Sequence, residues 1–310
     1  MTDPARLARS AALASVGTAL FLGGIKGYAA WATGSVAMLG SLADSALDLI
    51  ASLVTLFGVQ IAARPADEDH RFGHGKAEAL AALFQVAVIT VSAIGILGRA
   101  IGDLSAGQAV AQAEYGIGVS VIAIIATLAL TRYQAHVVAR TGSLAIGTDR
   151  VHYTSDLLLN AAVIAALVLE QYLGLRGADP VFGIGIALWL LFGAWRASIE
   201  AIGQLMDKEW PEEKRRRFVE VASRHPELKG LHDLRIRTSG NRDFAQFHMW
   251  MDPHMTVAAA HDVVEALERA LEAEFPGMEV LIHIDPVGQV DHPGNPLAER
   301  DEVAQLRSPG

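Results

Sequence analysis

The nine residues LADSALDLI, at positions 42–50, decide how this chain is read. They lie in an apolar run at 39–62 that is long enough to cross a bilayer. Within it, Asp44 and Asp48 sit one helical turn apart. A charge at the centre of a membrane helix costs about 2.5–3.5 kcal/mol even on lenient insertion scales. Two acids on one face of such a helix mark where a function has to be sought.

Five further runs, at about 11–33, 78–101, 115–135, 148–173 and 180–203, have the length of a span, which makes six. The composition agrees: 52% of the 310 residues are hydrophobic and the mean hydropathy is +0.31, more than a soluble core requires. The first run follows MTDPARLARS with no small-residue cleavage site and reads as a retained span. Positive charge falls on alternate connections. Arg6 and Arg9, then Arg64, Arg71 and Lys76, then Arg132, Arg140 and Arg150 lie on one side; only Arg99 and Arg176 lie on the other. By the positive-inside rule both termini are cytoplasmic, in a multi-pass protein of the inner (plasma) membrane. Lys26, inside the first run, is the exception; its stem could snorkel or its ammonium find an acidic partner.

After residue 206 the texture changes. PEEKRRRFVEVASRH predicts an amphipathic helix, LHDLRIRTSG and FAQFHMWMD two strands around a turn, TVAAAHDVVEALERALEAEF a helix, and MEVLIHIDPV a last strand. The expected protein is thus an α-helical membrane protein with six transmembrane helices (1–206), plus a small cytoplasmic α+β ferredoxin-like domain of αββαβ order (207–290). The polar, Pro/Gly-rich residues 291–310 read as a disordered tail.

Helical positions i and i+4 share a face, with Cβ atoms about 5–6 Å apart. The fifth run carries a second pair at that spacing, His152 and Asp156, in DRVHYTSDLLLN. Facing helices could bring three carboxylates and one imidazole together, a set suited to a tetrahedral divalent ion. The alternative is that each acid only hydrogen-bonds within the bundle. The single imidazole favours zinc, with cadmium, iron(II) and cobalt(II) close behind; an all-carboxylate set would lean toward manganese. With no cysteine in the chain, thiolate sites and disulfides are excluded. Carboxylates crowded away from water resist ionisation, so protons and metal compete for the same oxygens. Of the four side chains, imidazole ordinarily titrates nearest neutral pH.

These pairs, with the connecting stretch PADEDHRFGHGKAEAL at 65–80, resemble the cation diffusion facilitators from about residue 10 to 290. The resemblance implies that Asp44, Asp48, His152 and Asp156 form a transport site. It implies export of divalent metal in exchange for protons, by alternating access, in a homodimer. It further implies a second metal site at Asp67, His70 and His74, and a Lys76–Asp207 salt bridge that holds the dimer and joins the two domains.

In EVLIHIDPV, alternation puts Leu281, His283 and Asp285 on one face of the strand, and Val280, Ile282 and Ile284 on the other. The resemblance adds His232, His248 and His261 to His283 and Asp285 as ligands of a pair of zinc ions, with Asp285 bridging. Ile284 departs from the family pattern, standing where a relative has a residue able to add a ligand from the partner subunit.

Other classes fit less well. The Gly-His-Gly-Lys of the loop lacks the spaced glycines and the hydroxyl of a phosphate loop, so no nucleotide site is expected and transport should be secondary. No His-Glu-x-x-His or equivalent points to an enzyme. A formal charge of −9 argues against nucleic acid as partner. A membrane metal receptor or channel without proton coupling stays open beside the carrier.

Overall fold

The computed structural model describes residues 4–33, 36–106, 114–173, 177–240, 242–289, 294–295 and 300–307. It forms two compact units, Met1–Leu205 and Met206–Gly310, dividing one residue before the boundary expected from composition.

The first unit holds six long helices: α1 (Pro4–Thr33), α2 (Val36–Ala62), α3 (Ala77–Ala106), α4 (Glu114–Thr141), α5 (Leu144–Leu173) and α6 (Ala178–Leu205). Among the described residues, five helices contain stretches long and apolar enough to cross a membrane: Pro4–Ala32, Ser41–Ala62, Ala77–Leu104, Ser120–Thr141 and Pro180–Leu205. α5 is as long as the others, and its first half carries Asp149, Arg150, His152 and Asp156. It is nonetheless one continuous helix packed on α3, α4 and α6.

Small side chains let the helices approach. Ala8, Ala11 and Ala12 of α1 pack with Leu56 and Val59 of α2, Val137 of α4, and Ala145 and Ile146 of α5. Ile89 and Ala93 of α3 meet Leu190 and Ala194 of α6. At Gly58 α2 lies close against α3: a Cβ there would run into the Ala81 side chain. Outward-facing Leu20, Phe21, Phe57, Val91, Ile94, Ile125, Phe192 and Trp195 are exposed. Such an apolar belt, on helices whose backbones are satisfied internally, is what lipid covers.

The second unit follows the order α7 (Glu212–Ala222), β1 (Leu231–Ser239), β2 (Arg242–Met251), α8 (Val257–Glu274), β3 (Met278–Pro286). This is the αββαβ order expected from the sequence. β1 and β2 are antiparallel; β2 and β3 are parallel, joined through α8. Phe218 of α7 and Leu267 and Leu271 of α8 bury one face of the sheet, together with Ile236, Phe247 and Met249. Val280 and Ile282 of β3 pack against that core, as alternation requires.

Within the expected tail, Glu302–Arg307 forms a short helix, α9; residues 291–293, 296–299 and 308–310 lie outside the described residues. Val303 is buried in the core, and Arg215 of α7 holds the Glu302 carboxylate with two hydrogen bonds of 3.0 and 2.6 Å. Asp301 accepts from the Val303 and Ala304 amides and starts the helix. Two long-range contacts thus outweigh the polar composition.

Candidate metal centres

Helix geometry turns the sequence spacings into positions. On α2, Asp44 and Asp48 face the same cavity; on α5, so do His152 and Asp156. His152 Nε2 lies 3.0 Å from Asp48 Oδ1 and 4.0 Å from Asp156 Oδ2. These three residues form a tight group, each offering a ligand atom within 4.8 Å of the others. Their side chains are 20% (Asp48), 5% (His152) and 30% (Asp156) exposed, inside a cavity of about 640 Å³. Asp44 lines that cavity but stands outside the tight group. Three oxygens and a nitrogen around one water-accessible space can hold a small dication, and protons can replace it.

One turn before His152, a second polar level went unread in the sequence. Asp149 is fully buried and accepts hydrogen bonds from Ser15 of α1 (2.6 Å), Gln134 of α4 (2.8 Å) and Gln85 of α3 (2.8 Å). The adjacent Tyr153 hydroxyl donates to the Ser15 carbonyl (3.1 Å) and lies 2.8 Å from Ser52 Oγ of α2. A second acid within eight residues of the fifth run, in addition to Asp156, was the available signal; its partners are ordinary Ser and Gln residues that no motif marks.

The loop between α2 and α3 folds around Asp67. Its Oδ1 accepts from the backbone amides of His70 (2.7 Å) and Asp69 (3.1 Å), and Oδ2 lies 3.3 Å from His74 Nε2. His70 Nδ1 is 3.3 Å from Oδ1, and the two rings are 4.4 Å apart. The His70 amide, followed by the neighbouring imidazoles, holds the Asp67 carboxyl below its usual range. Gly73 supplies the left-handed backbone (φ 78°) that turns His74 back toward Asp67. Asp67, His70 and His74 are therefore together, largely open to water.

In the second unit the strand register assembles the ligands. His232, His248 and His283 stand opposite one another across β1, β2 and β3. Ring centroids are 5.3 Å apart for the first two and 4.5 Å for the last two. Asp285, only 3% exposed, joins them. Its Oδ2 lies 2.8 Å from His248 Nδ1 and 3.2 Å from His232 Nε2, and its Oδ1 lies 3.2 Å from His283 Nε2. The buried His232 ring, stacked on Trp250, has no hydrogen bond at either nitrogen among the described residues; the 3.2 Å approach to Asp285 is too oblique to be one. An imidazole buried without partners beside a carboxylate is the state of a ligand set that fits a metal.

Asp233, beside His232, was not anticipated. Its backbone is left-handed (φ 46°), Arg235 holds its carboxylate, and its Oδ2 is 3.8 Å from His248 Nε2. His261 is exposed on α8 and stands outside the group formed by His232, His248 and Asp285. Ile284 is 37% exposed. Of the two residues of the expected salt bridge, Lys76 donates to the Leu205 carbonyl (3.2 Å), and Asp207 accepts from Arg237 (3.0 Å).

The family description "Cation efflux transmembrane domain" matches residues 12–206, and "Cation efflux protein, cytoplasmic domain" matches residues 210–287. The chain is 42% identical over 290 residues to the cation-efflux pump FieF of Yersinia pestis (strain Pestoides F), spanning 93% of this chain and 96% of that one. The same figures hold for the FieF of Yersinia pseudotuberculosis serotype IB (strain PB1/+). Among solved structures, the metal-bound C-terminal domain of the CzcD transporter from Thermotoga maritima is 25% identical, with a TM-score of 0.25 over 26% of this chain and 99% of that one. With both domains matched and relatives this similar along nearly their whole length, the chain belongs to the cation efflux family, the cation diffusion facilitators: membrane transporters of metal cations, not enzymes.

Proposed function

We propose that the protein exports zinc, and with lower preference cadmium, iron(II) or cobalt(II), from the cytoplasm in exchange for protons. Asp44, Asp48, His152 and Asp156 are the transport ligands. The observation that carries this reading is the 3.0 Å approach of His152 on α5 to Asp48 on α2, with Asp156 at 4.0 Å, inside a water-accessible cavity. A dication offsets most of the carboxylate charge on the outward step, and protons do so on the return, so the site does not cross the membrane as a bare anion. Asp44 completes the set by a change of rotamer within the same cavity.

The protein works as a homodimer by alternating access, with both termini cytoplasmic, in the inner membrane. Asp67, His70 and His74 form a labile entry site. Asp285 would hold zinc in the second unit, through Oδ2 with His232 and His248 and through Oδ1 with His283, and His261 would join as a further ligand. Lys76 and Asp207 pair across the two domains in the working dimer. Bound zinc there supplies cross-linking charge, while Asp285 orients the imidazoles and Trp250 shields one of them from water.

The test is zinc flux into proteoliposomes under an imposed pH gradient. Flux should follow the gradient and vanish in D48A and D156A. Flux that ignored the gradient would rule out exchange; binding without flux would indicate a receptor.

A further inference from the structure

Lys26 is the one interior charge of α1 that the reading above leaves unused. Its place is set by glycines. A Cβ on Gly23 would lie 3.8 Å from the Ser45 Cβ, and one on Gly27 would lie 3.7 Å from Leu42, so this face of α1 runs directly against α2. The close approach lets the Lys26 ammonium donate to Ser45 Oγ at 2.8 Å. Ser45 is only 3% exposed and follows Asp44 in the chain. Lys26 also lines the same cavity as Asp44, Asp48, His152 and Asp156. A stem that merely snorkelled would carry its ammonium away from this space; here the ammonium is tied down inside it.

The charges then balance in a particular way. Asp44, Asp48 and Asp156 with a neutral imidazole carry three negative charges, one more than a divalent ion offsets. Arg99 and Asp103 of α3, which also line the cavity, cancel one another. The ammonium of Lys26 removes the remaining charge. A loaded site of zero net charge is the form least penalised by the low dielectric of the membrane. A fixed cation beside the ligands also repels the bound metal, which speeds release.

Resting on the transport-site reading above, we propose that Lys26 is a built-in counter-cation that matches the transport site to a single dication and limits how tightly it holds the metal. The test uses the full-length protein with the loop and cytoplasmic ligands replaced by alanine, comparing K26Q, K26R and D48A in that background. K26Q keeps a donor for Ser45 and removes the charge; K26R keeps both. Zinc affinity is read by calorimetry in detergent, and flux in proteoliposomes. K26Q should bind zinc about tenfold tighter and show severalfold lower maximal flux with a lower half-saturating concentration, while K26R stays near the parent. Equal affinities for K26Q, K26R and the parent, or weaker binding in K26Q, would overturn the proposal and leave Lys26 a tie between α1 and α2. D48A separates the two readings: if it loses binding and flux while K26Q is unchanged, only the counter-cation falls. If D48A keeps both, the transport-site reading falls, and this proposal with it.

Discussion

Replacing Asp285 with alanine should remove two zinc ions per protomer, whereas H232A and H283A should each remove one. The difference follows from which oxygen faces which ring. Oδ2 is 2.8 Å from His248 and 3.2 Å from His232, while Oδ1 is 3.2 Å from His283. One carboxylate therefore serves two groups of imidazoles, and each imidazole serves one of them. A four-ligand structural zinc site is worth about 10–16 kcal/mol. One ligand in four then carries about 3 kcal/mol, or about a hundredfold in affinity. The assay is metal counting after equilibrium dialysis of full-length protein in detergent, with zinc set well above the parent's dissociation constant but below that of the weakened site. Other sites bind equally in all variants and cancel in the difference. Thermal unfolding gives a second readout: saturation at a hundred times the dissociation constant stabilises by about 2.7 kcal/mol per site, and D285A should lose that gain. If D285A released one ion, or if H232A alone released both, the division of labour between the two oxygens would be refuted.

Four further outcomes are expected. D149A removes the acceptor that Ser15, Gln85 and Gln134 share, leaving each with its weaker remaining partners, and should lower stability in detergent by about 1–3 kcal/mol, with D149N in between; an unchanged melting curve would contradict the network. R215A should detach α9 and destabilise the cytoplasmic unit by about 1–2 kcal/mol, seen as faster amide exchange at 301–307; unaltered protection would show that Val303 suffices. Because the folded loop holds Asp67 below its ordinary value, the carboxylate's contribution is fully present above that ordinary value and fades only as pH falls through the lowered one. The His70 amide should thus stay protected down to about pH 4 by NMR, and early loss of protection would refute the turn. H152D makes the ligand set all-oxygen and should raise manganese flux relative to zinc; an unaltered ratio would deny His152 a part in selectivity.

Helical spacing carried more of the site than any other signal. Asp44/Asp48 and His152/Asp156 could be read as facing pairs because the period of a helix is fixed by its backbone. Alternation likewise read His283 and Asp285 onto one face of β3. Strand pairing is another matter: nothing local says that His232 and His248 stand opposite each other and opposite His283, since that depends on the register of two separate ladders. The local bulge that separates His232 from Arg235, and turns Asp233 toward His248, is equally silent. α9 was missed because its anchor, Arg215, lies 87 residues away in the chain, so composition alone reads as tail. Asp149 was missed for a subtler reason. It precedes Arg150, which the charge pattern assigned to the cytoplasmic edge, and that masked an acid pointing into the bundle.

Asp149 also bears on how the transport site keeps its geometry. The aim of His152 at Asp48 depends on the rotation and height of α5, and no metal ligand fixes either. Asp149, one turn away, ties α5 to α1, α3 and α4, and Tyr153 ties it to α1 and α2. At its start, α5 is held again: Ser143 donates to the buried Glu78 carboxylate of α3 at 2.6 Å. The links divide unevenly. Movement of α5 against α3 would orphan the buried Glu78, at about 1–3 kcal/mol, and break the Gln85–Asp149 bond, whereas movement of α1, α4 and α5 together would leave the Ser15 and Gln134 bonds intact. α2 is joined to both sides, through Ser52 to Tyr153 and through Thr55 to Gln85 (2.9 Å). The helix that carries Asp44 and Asp48 therefore lies on the seam, where a small displacement changes their distance from His152 and Asp156 most.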